Sequence, residues 1–315
     1  MKHHRKKNTR FHPILASLFG ILFVSTASIF IRLAQGEVSS IVIAASRLLI
    51  ASLVLVPIAL TRYWDQLRAL SIRDFAKGFL SGVFLALHFA AWISSLEFTS
   101  VASSVVLVTT TPLWVALLSP LVLKESIKRS VIIGLVISMM GGVLVGLSNT
   151  CSLQNGRLAC QALSITGRVM LGNFLALFGA WMAAGYMLIG RQLRKKLNTV
   201  TYTALVYGIA ATILSIVVFI RAEPVLSYSS GTYLCLLALG ILPQLFGHTL
   251  FNWALKYVSA AFVSLTLLGE PIGTIILALI FLKESPTLLE GVGAVLILIG
   301  ILIGSVGKEK RTSGA

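Results

Sequence analysis

The chain repeats itself. Shifted by 159 positions, its second half lies on its first without a gap. Gly20 falls on Gly179, Arg32 on Arg191 and Pro112 on Pro271, and Leu123-Lys124-Glu125-Ser126 falls on Leu282-Lys283-Glu284-Ser285. Gly134 and Gly141 fall on Gly293 and Gly300. Between Leu96 and Gly146, 12 of 51 positions are identical to their counterparts, and the matches concentrate in Pro, Gly and charged residues. Each copy holds five apolar stretches. An odd number of spans per copy forces the two copies to enter a membrane in opposite senses, and inverted repeats are an architecture of secondary transporters.

Hydrophobic residues make up 57% of the chain and charged residues 11%, against about 25% charged in a soluble domain. A bilayer core about 30 Å thick needs about 20 apolar residues per helix. The predicted spans are 12–33, 38–60, 75–95, 98–123, 130–148, 169–190, 200–220, 232–253, 257–282 and 287–306. The runs are long and lack strict alternation, so they read as helices rather than barrel strands. The expected fold class is an all-α integral membrane protein, with ten transmembrane helices as two inverted five-helix repeats. The first repeat is 1–148, the extracytoplasmic linker loop 149–168 and the second repeat 169–315. The whole reads as one membrane domain, because each repeat must pack against the other to enclose a site. The first stretch begins like a signal peptide, but it outruns the usual core of about 7–15 residues. It also matches span six through the repeat, and so reads as a retained span.

The net charge of +16 is distributed by side. With the N-terminus in the cytoplasm, 20 of the 26 Lys and Arg fall on cytoplasmic segments, and Arg32, Arg157, Arg168, Arg221 and Lys283 fall opposite. This positive-inside bias predicts cytoplasmic N- and C-termini of a multi-pass protein, in a cell membrane such as the bacterial inner membrane. The basic ends are expected to rest on anionic headgroups, which leaves no role for a nucleic-acid partner. Cys151 and Cys160 lie in the linker on an oxidising face, where they are a candidate disulfide or two free loop thiols. Cys235, inside span eight, reads as packing.

An ionisable residue inside a span costs about 2.5–3.5 kcal/mol at the helix centre, so the few present are candidate site residues. Glu270 precedes Pro271 near the middle of span nine, and its counterpart Thr111 precedes Pro112 in span four. Proline removes a backbone hydrogen bond and crowds the carbonyl four residues back, so the carbonyls of Leu267 and Val108 are candidates to be left free. Interrupted segments at corresponding places in two halves point to a transporter's binding site. Glu270 is expected to bind a substrate amine, to carry a proton, or to tie helices together. Gln244, His248 and Asn252 follow one another at steps of four in span eight and share a helix face. Ser81, Leu85, His88, Trp92 and Ser95 share a face of span three. Leu85 is the counterpart of Gln244 and Trp92 that of Phe251, so a shared cavity is the economical reading. Trp92, Trp114 and Trp181 lie within spans and could line that cavity, offering cation–π contact to an ammonium, or pack elsewhere. Arg47 in span two could neutralise a substrate carboxylate, pair with a span-one group such as Ser28, or snorkel outward.

Glycines crowd spans five and ten: Gly134, Gly141, Gly142 and Gly146, then Gly291, Gly293, Gly300 and Gly304. Small residues four apart let helices approach closely, and internal packing is the favoured use. A monomer and a homodimer are both compatible with it. Glu125 and Glu284 end spans four and nine beside Lys124 and Lys283, as boundary residues within reach of a neighbouring helix.

These segments resemble the ten-helix EamA-type transporters of the drug/metabolite transporter superfamily. The matching stretches are Arg47 in AASRLLIAS, the block LEFTSVASS…TTPLWVALLSPLVLKES, and the block LKYVSAAFVSLTLLGEPIGTIILALIFLKES. The resemblance runs over 12–306. It implies that spans one, three, four, six, eight and nine surround a central cavity, with five and ten peripheral. It also implies export of amino acids or other small metabolites, import being known for some members. The cysteine-bearing linker is not a usual part of the family pattern.

The expected function is a secondary transporter working by alternating access, exporting amino acids or related amine-bearing metabolites. The alternatives are an exporter of hydrophobic cations or drugs, and an importer of a metabolite such as a nucleotide derivative. No G-x-x-x-x-G-K-[ST] motif occurs, so energy is expected from a gradient, protons included. No H-E-x-x-H, no Cys/His cluster and no acidic pair within a span is present. No metal, cofactor or catalytic residue is therefore expected, and the chain does not read as an enzyme.

Overall fold

A computed structural model describes residues 12–99, 101–147, 151–154, 157–160, 167–277, 279–280 and 286–305. The basic N-terminal residues 2–10, the segment with Lys283 and Glu284, and the C-terminal basic residues lie outside them. Span one is α1 (Pro13–Val24) and α2 (Ala27–Ala34), separated at Ser25 and Thr26. Spans two and three are α3 (Ser40–Arg62) and, after the short α4 (Trp64–Arg68), α5 (Ile72–Phe98). Span four is α6 (Val101–Val108) and α7 (Thr111–Val122), and span five is α8 (Arg129–Leu147). A hairpin of β1 (Cys151–Gln154) and β2 (Arg157–Cys160) joins the halves. Spans six and seven are α9 (Gly167–Leu193) and α10 (Thr199–Ile220). Span eight is α11 (Ser230–Leu239), a π-helical segment (Gly240–His248) and α12 (Thr249–Ala254). Span nine is α13 (Ala260–Leu267) and α14 (Glu270–Leu277), and span ten is α15 (Leu288–Ser305). Among the described residues eight of these helices are long and apolar enough to cross a membrane, and the shorter spans four and five complete the ten.

The sequence cuts its apolar runs with small polar caps. Ser71 accepts a hydrogen bond from the amide of Asp74 (3.1 Å), Asn198 from Thr201 (2.8 Å), Ser229 from Thr232 (3.3 Å) and Ser259 from Phe262 (3.2 Å). Each satisfies one of the amides that a helix start leaves without a partner. Large apolar side chains such as Leu53, Leu117, Met140, Phe219 and Leu302 stay exposed. In a bilayer these face lipid, and the core lies where spans meet.

The inverted symmetry is written into the seam between α8 and α15. A Cβ on Gly134 would strike the carbonyl of Gly300, and one on Gly141 the carbonyl of Gly293. Each glycine thus meets the copy of the other. Ser138 Oγ donates to the carbonyl of Ile297 at 3.2 Å, and Ile297 is the counterpart of Ser138 itself. The local two-fold axis passes through that contact. Elsewhere α3 packs on its copy α10, α5 on α9, and α1 on span eight. The last two contacts are the same pairing seen from each repeat. Spans five and ten sit outside this group, as the resemblance implies. One basic residue departs from its expected place: Arg194 is buried rather than facing headgroups, because its guanidinium donates to the Asn252 carbonyl (2.8 Å), the Leu197 carbonyl and Thr199 Oγ1 (2.7 Å).

Candidate functional site

Spans four and nine do not kink at their prolines; they stop and restart. Pro112 and Pro271 each take the second position of a new helix, α7 and α14, where the missing amide would have had no intrahelical partner anyway. The expectation of a free Val108 carbonyl is therefore corrected. Thr111 Oγ1 donates to it at 2.8 Å, as Thr110 does to Leu107 (2.6 Å) and Thr109 to Val106 (3.1 Å). The first break heals itself with three consecutive hydroxyls.

The second break leans on span one. Ser25 Oγ donates to the Glu270 carbonyl at 2.9 Å, and Thr274 Oγ1 donates to the carbonyls of both Glu270 and Ser25 at 3.2 Å. The interruption of span one at Ser25–Thr26 is thereby tied to that of span nine. Glu270 opens α14, where the partial positive charge of the helix start favours a carboxylate. No hydrogen bond or ion pair to its carboxylate occurs among the described residues.

The breaks border a partly open cavity of about 90 Å³. Of the residues singled out from sequence, Glu270, Arg47, His88, Trp92, His248, Asn252, Thr111 and Pro112 line it. Pro271 is buried behind the break. Gln244 and Trp181 do not line it. Trp181 instead packs edge-on to Trp114 (ring centroids 5.5 Å apart) and Phe174 (6.4 Å), beside the first break. Gln244 is displaced because the π segment around Pro243 widens the turn, so the stripe predicted from steps of four does not hold. Wide turns of this kind recur at functional sites.

Gln244 Oε1 instead accepts from Arg47 Nε at 3.0 Å. Arg47 is 1% exposed, so it neither snorkels nor pairs with Ser28, whose hydroxyl lies 3.5 Å from that of Thr274. The guanidinium carbon stands 4.0 Å from the centre of the Phe89 ring. Its two terminal nitrogens have no hydrogen-bond partner among the described residues. His88 Nδ1 lies 2.9 Å from the Gly179 carbonyl, which can only accept, so Nδ1 carries the proton. The His88 ring lies parallel to that of Trp92 at 6.1 Å. His248 meets Phe89, its own counterpart, edge to face at 5.3 Å. Asn252 Nδ2, with two hydrogens to donate, lies within hydrogen-bond distance of three acceptors: the hydroxyls of Tyr186 and Tyr207 (3.1 Å) and the His248 carbonyl (2.9 Å). Tyr186 also lines the cavity. Sequence reasoning passed over it, although a tyrosine within span six was a legible signal. Among the described residues no group of three or more His, Cys, Asp or Glu could hold a metal.

One end of the molecule is clamped. Arg191 Nε donates to Glu125 at 3.0 Å and its Nη1 to the Leu255 carbonyl at 2.7 Å, while Lys195 Nζ reaches Glu125 at 3.0 Å. These contacts join spans four, six and eight. Arg32, the counterpart of Arg191 at the other end, is exposed.

The EamA-like transporter family matches residues 12–147 and again 170–306. Three similar proteins are named uncharacterized transporters. YxxF of Bacillus subtilis is 24% identical over 77% of this chain and 74% of its own. A Clostridium kluyveri protein is 24% identical over 83% and 82%, and an Archaeoglobus fulgidus protein 23% identical over 91% and 94%. A crystal structure of another protein, 18% identical, superposes with a TM-score of 0.75 over 93% of this chain and 96% of its own, so the two share a fold.

Proposed function

The chain belongs to the EamA-like transporter family, and from that premise we propose that this membrane transporter exports small amine-bearing metabolites, amino acids among them, by alternating access. The observation that carries the proposal is Glu270. A carboxylate with no hydrogen bond or ion pair among the described residues stands at a helix restart on the cavity, and aromatic rings line the same cavity. An ammonium group satisfies the carboxylate and finds the ring faces favourable. The same carboxylate can take a proton when the substrate leaves, which couples export to proton entry.

The interruptions at Ser25–Thr26, Thr109–Thr110 and Leu268–Gly269 are the points about which the halves rock. On the positive-inside reading, the Arg191 end faces the cytoplasm. The clamp on Glu125 and Leu255 is then the inward gate, shut. The test is accumulation of a labelled metabolite panel by inside-out vesicles carrying the protein, with and without an imposed pH gradient. Active accumulation of amine-bearing members, lost in Glu270→Gln, is expected. Unchanged kinetics in that variant would remove the role of Glu270.

A further inference from the structure

Arg47 is the buried charge that the amine reading leaves without work. Its side chain is held from behind. Gln244 Oε1 takes Nε at 3.0 Å, and Phe89 covers the face of the guanidinium at 4.0 Å. That leaves Nη1 and Nη2, both shielded from solvent and both without a hydrogen-bond partner. A guanidinium is charged at any physiological pH and presents donors in a rigid fork. Leaving two of its arms dry and unbonded is costly unless something supplies acceptors. Glu270 lines the same cavity, yet among the described residues no ion pair joins the two. The cavity thus holds a guanidinium and a carboxyl group that do not pair with each other.

We propose that Arg47 is the carboxylate-binding residue of this site, so that the substrate is a zwitterion. Its carboxylate accepts both hydrogen bonds from the terminal nitrogens of Arg47 while its ammonium meets Glu270. This rests on the amine reading of Glu270 and adds the second pole. Paired donors fit the two oxygens of a carboxylate, which is the strong and directional form of this contact. Gln244 and Phe89 are positioning residues that hold the fork. Leu85, Trp92, Met187, Phe251 and Leu267 form an apolar and aromatic stretch of the wall, beside polar residues such as His88, His248 and Asn252. It suits a substrate whose side chain is uncharged and hydrophobic.

The probes are leucine, methionine and phenylalanine, each beside its amide and beside the amine left when its carboxyl group is removed. The full-length protein in detergent is titrated with each, following tryptophan fluorescence, and transport is measured in vesicles. Wild-type protein is expected to prefer the acids. Arg47→Gln should weaken the acids by ~30-fold or more, the scale of removing one partner of a buried charge pair, and leave amides and amines within about twofold of their wild-type values. Gln244→Met should cut acid affinity by less than tenfold, the scale of a single hydrogen bond. Arg47→Lys keeps the charge without the fork and should recover only part of the loss; it stands in if the glutamine variant does not fold. Glu270→Gln should weaken all three classes together.

An Arg47→Gln protein that loses acid, amide and amine alike, or none of them, overturns the assignment of Arg47 while leaving that of Glu270 standing. So does a wild-type protein that takes the amides as well as the acids. A wild-type protein that takes no member of any class overturns the amine reading and this inference with it.

Discussion

The two halves of the cavity wall descend from the same sequence pattern and have come apart. Spans three and six run unbroken, as 27-residue helices. Their counterparts, spans eight and one, are a helix with a π segment and a helix cut at Ser25–Thr26. Polarity follows the irregular backbone. Ser25, Gln244, His248, Asn252 and Glu270 stand where the other half has Ala184, Leu85, Phe89, Ile93 and Thr111. Arg47, with Val206 as its counterpart, is an exception, since it stands on the unbroken α3. A broken helix exposes backbone groups that need partners, and a membrane interior tolerates them only where protein or a polar cavity supplies them. On the proposed reading, the interrupted spans, one from each repeat, serve as the binding surface, and their unbroken counterparts serve as the wall.

The largest effect expected from that comparison comes from making the second break a copy of the first. Glu270→Thr reproduces the Thr-Pro of span four. Transport should fall by ~30-fold or more, in line with removing one member of a buried charge contact. Thermal stability in detergent should hold, because the Ser25 and Thr274 hydroxyls bond the backbone carbonyl of Glu270 and not its side chain. Thr111→Val is the matching change in the other half. It removes one hydroxyl bond to Val108, so a loss below tenfold is expected. Equal losses in the two variants would break the division into wall and binding surface.

The second expected effect falls on the seam, where the halves have not diverged. Gly300→Leu puts a side chain against the carbonyl of Gly134 and the hydroxyl of Ser138. Overpacking costs ~1–3 kcal/mol even where side chains can yield, and here the obstacle is partly backbone. Monodisperse yield and melting temperature should both drop. Gly291→Leu, on the same helix with nothing within 4 Å of its Cβ position, should change neither. A Gly300→Leu protein as stable as wild type would show that the close approach of α8 and α15 is dispensable.

The sequence was most legible where the halves agree. The shift of 159 positions lays Gly134 on Gly293 and Gly141 on Gly300, and those four meet in the structure because the local two-fold axis at Ser138 and Ile297 sets each glycine against the copy of the other. Glu270 and Thr111 were found through their shared proline for the same reason. What could not be read lies where the copies differ. A step-of-four rule placed Gln244 beside His248, but a π turn has a wider period, and its trigger at Pro243 has Phe84 as its counterpart. The break at Ser25–Thr26 carries no proline and has an unbroken counterpart, so periodicity alone gave no warning. Arg47 could be named but not assigned. Whether a lone cation snorkels or turns inward depends on which neighbour takes Nε, and Gln244 lies 197 positions away.

The third expected effect concerns the two ends. Arg191 and Lys195 share Glu125, with side-chain exposures of 11%, 51% and 23%. Partly wet ion pairs contribute about 0–1 kcal/mol, so Glu125→Gln should hardly alter stability. A gate, however, is set by the difference between two states, and a shift of that size moves a balanced equilibrium several-fold. A cysteine introduced at Ala183 in the cavity wall should react faster with a polar thiol reagent applied from the Arg191 end once Glu125 is Gln. An unchanged rate would show that Arg191 holds the Leu255 carbonyl without controlling access.

The smallest effect on transport is expected at the linker, the one segment with no counterpart in either half. Its hairpin sets Cys151 directly opposite Cys160. Backbone pairing of the two cysteines is the arrangement in which the candidate disulfide is expected to form. With eight residues between the cysteines, the closed loop is short and local. A bridge there would fix the hairpin without tying one half to the other. Denatured, unreduced protein should therefore expose one thiol to alkylation, that of Cys235, and three after reduction. Cys151→Ser should raise the unreduced count to two and leave transport within about twofold of wild type, as a change at a surface loop is expected to. A large transport defect in that variant would mean that the linker takes part in the motion. The contrast between the halves would then have to include the strand that joins them.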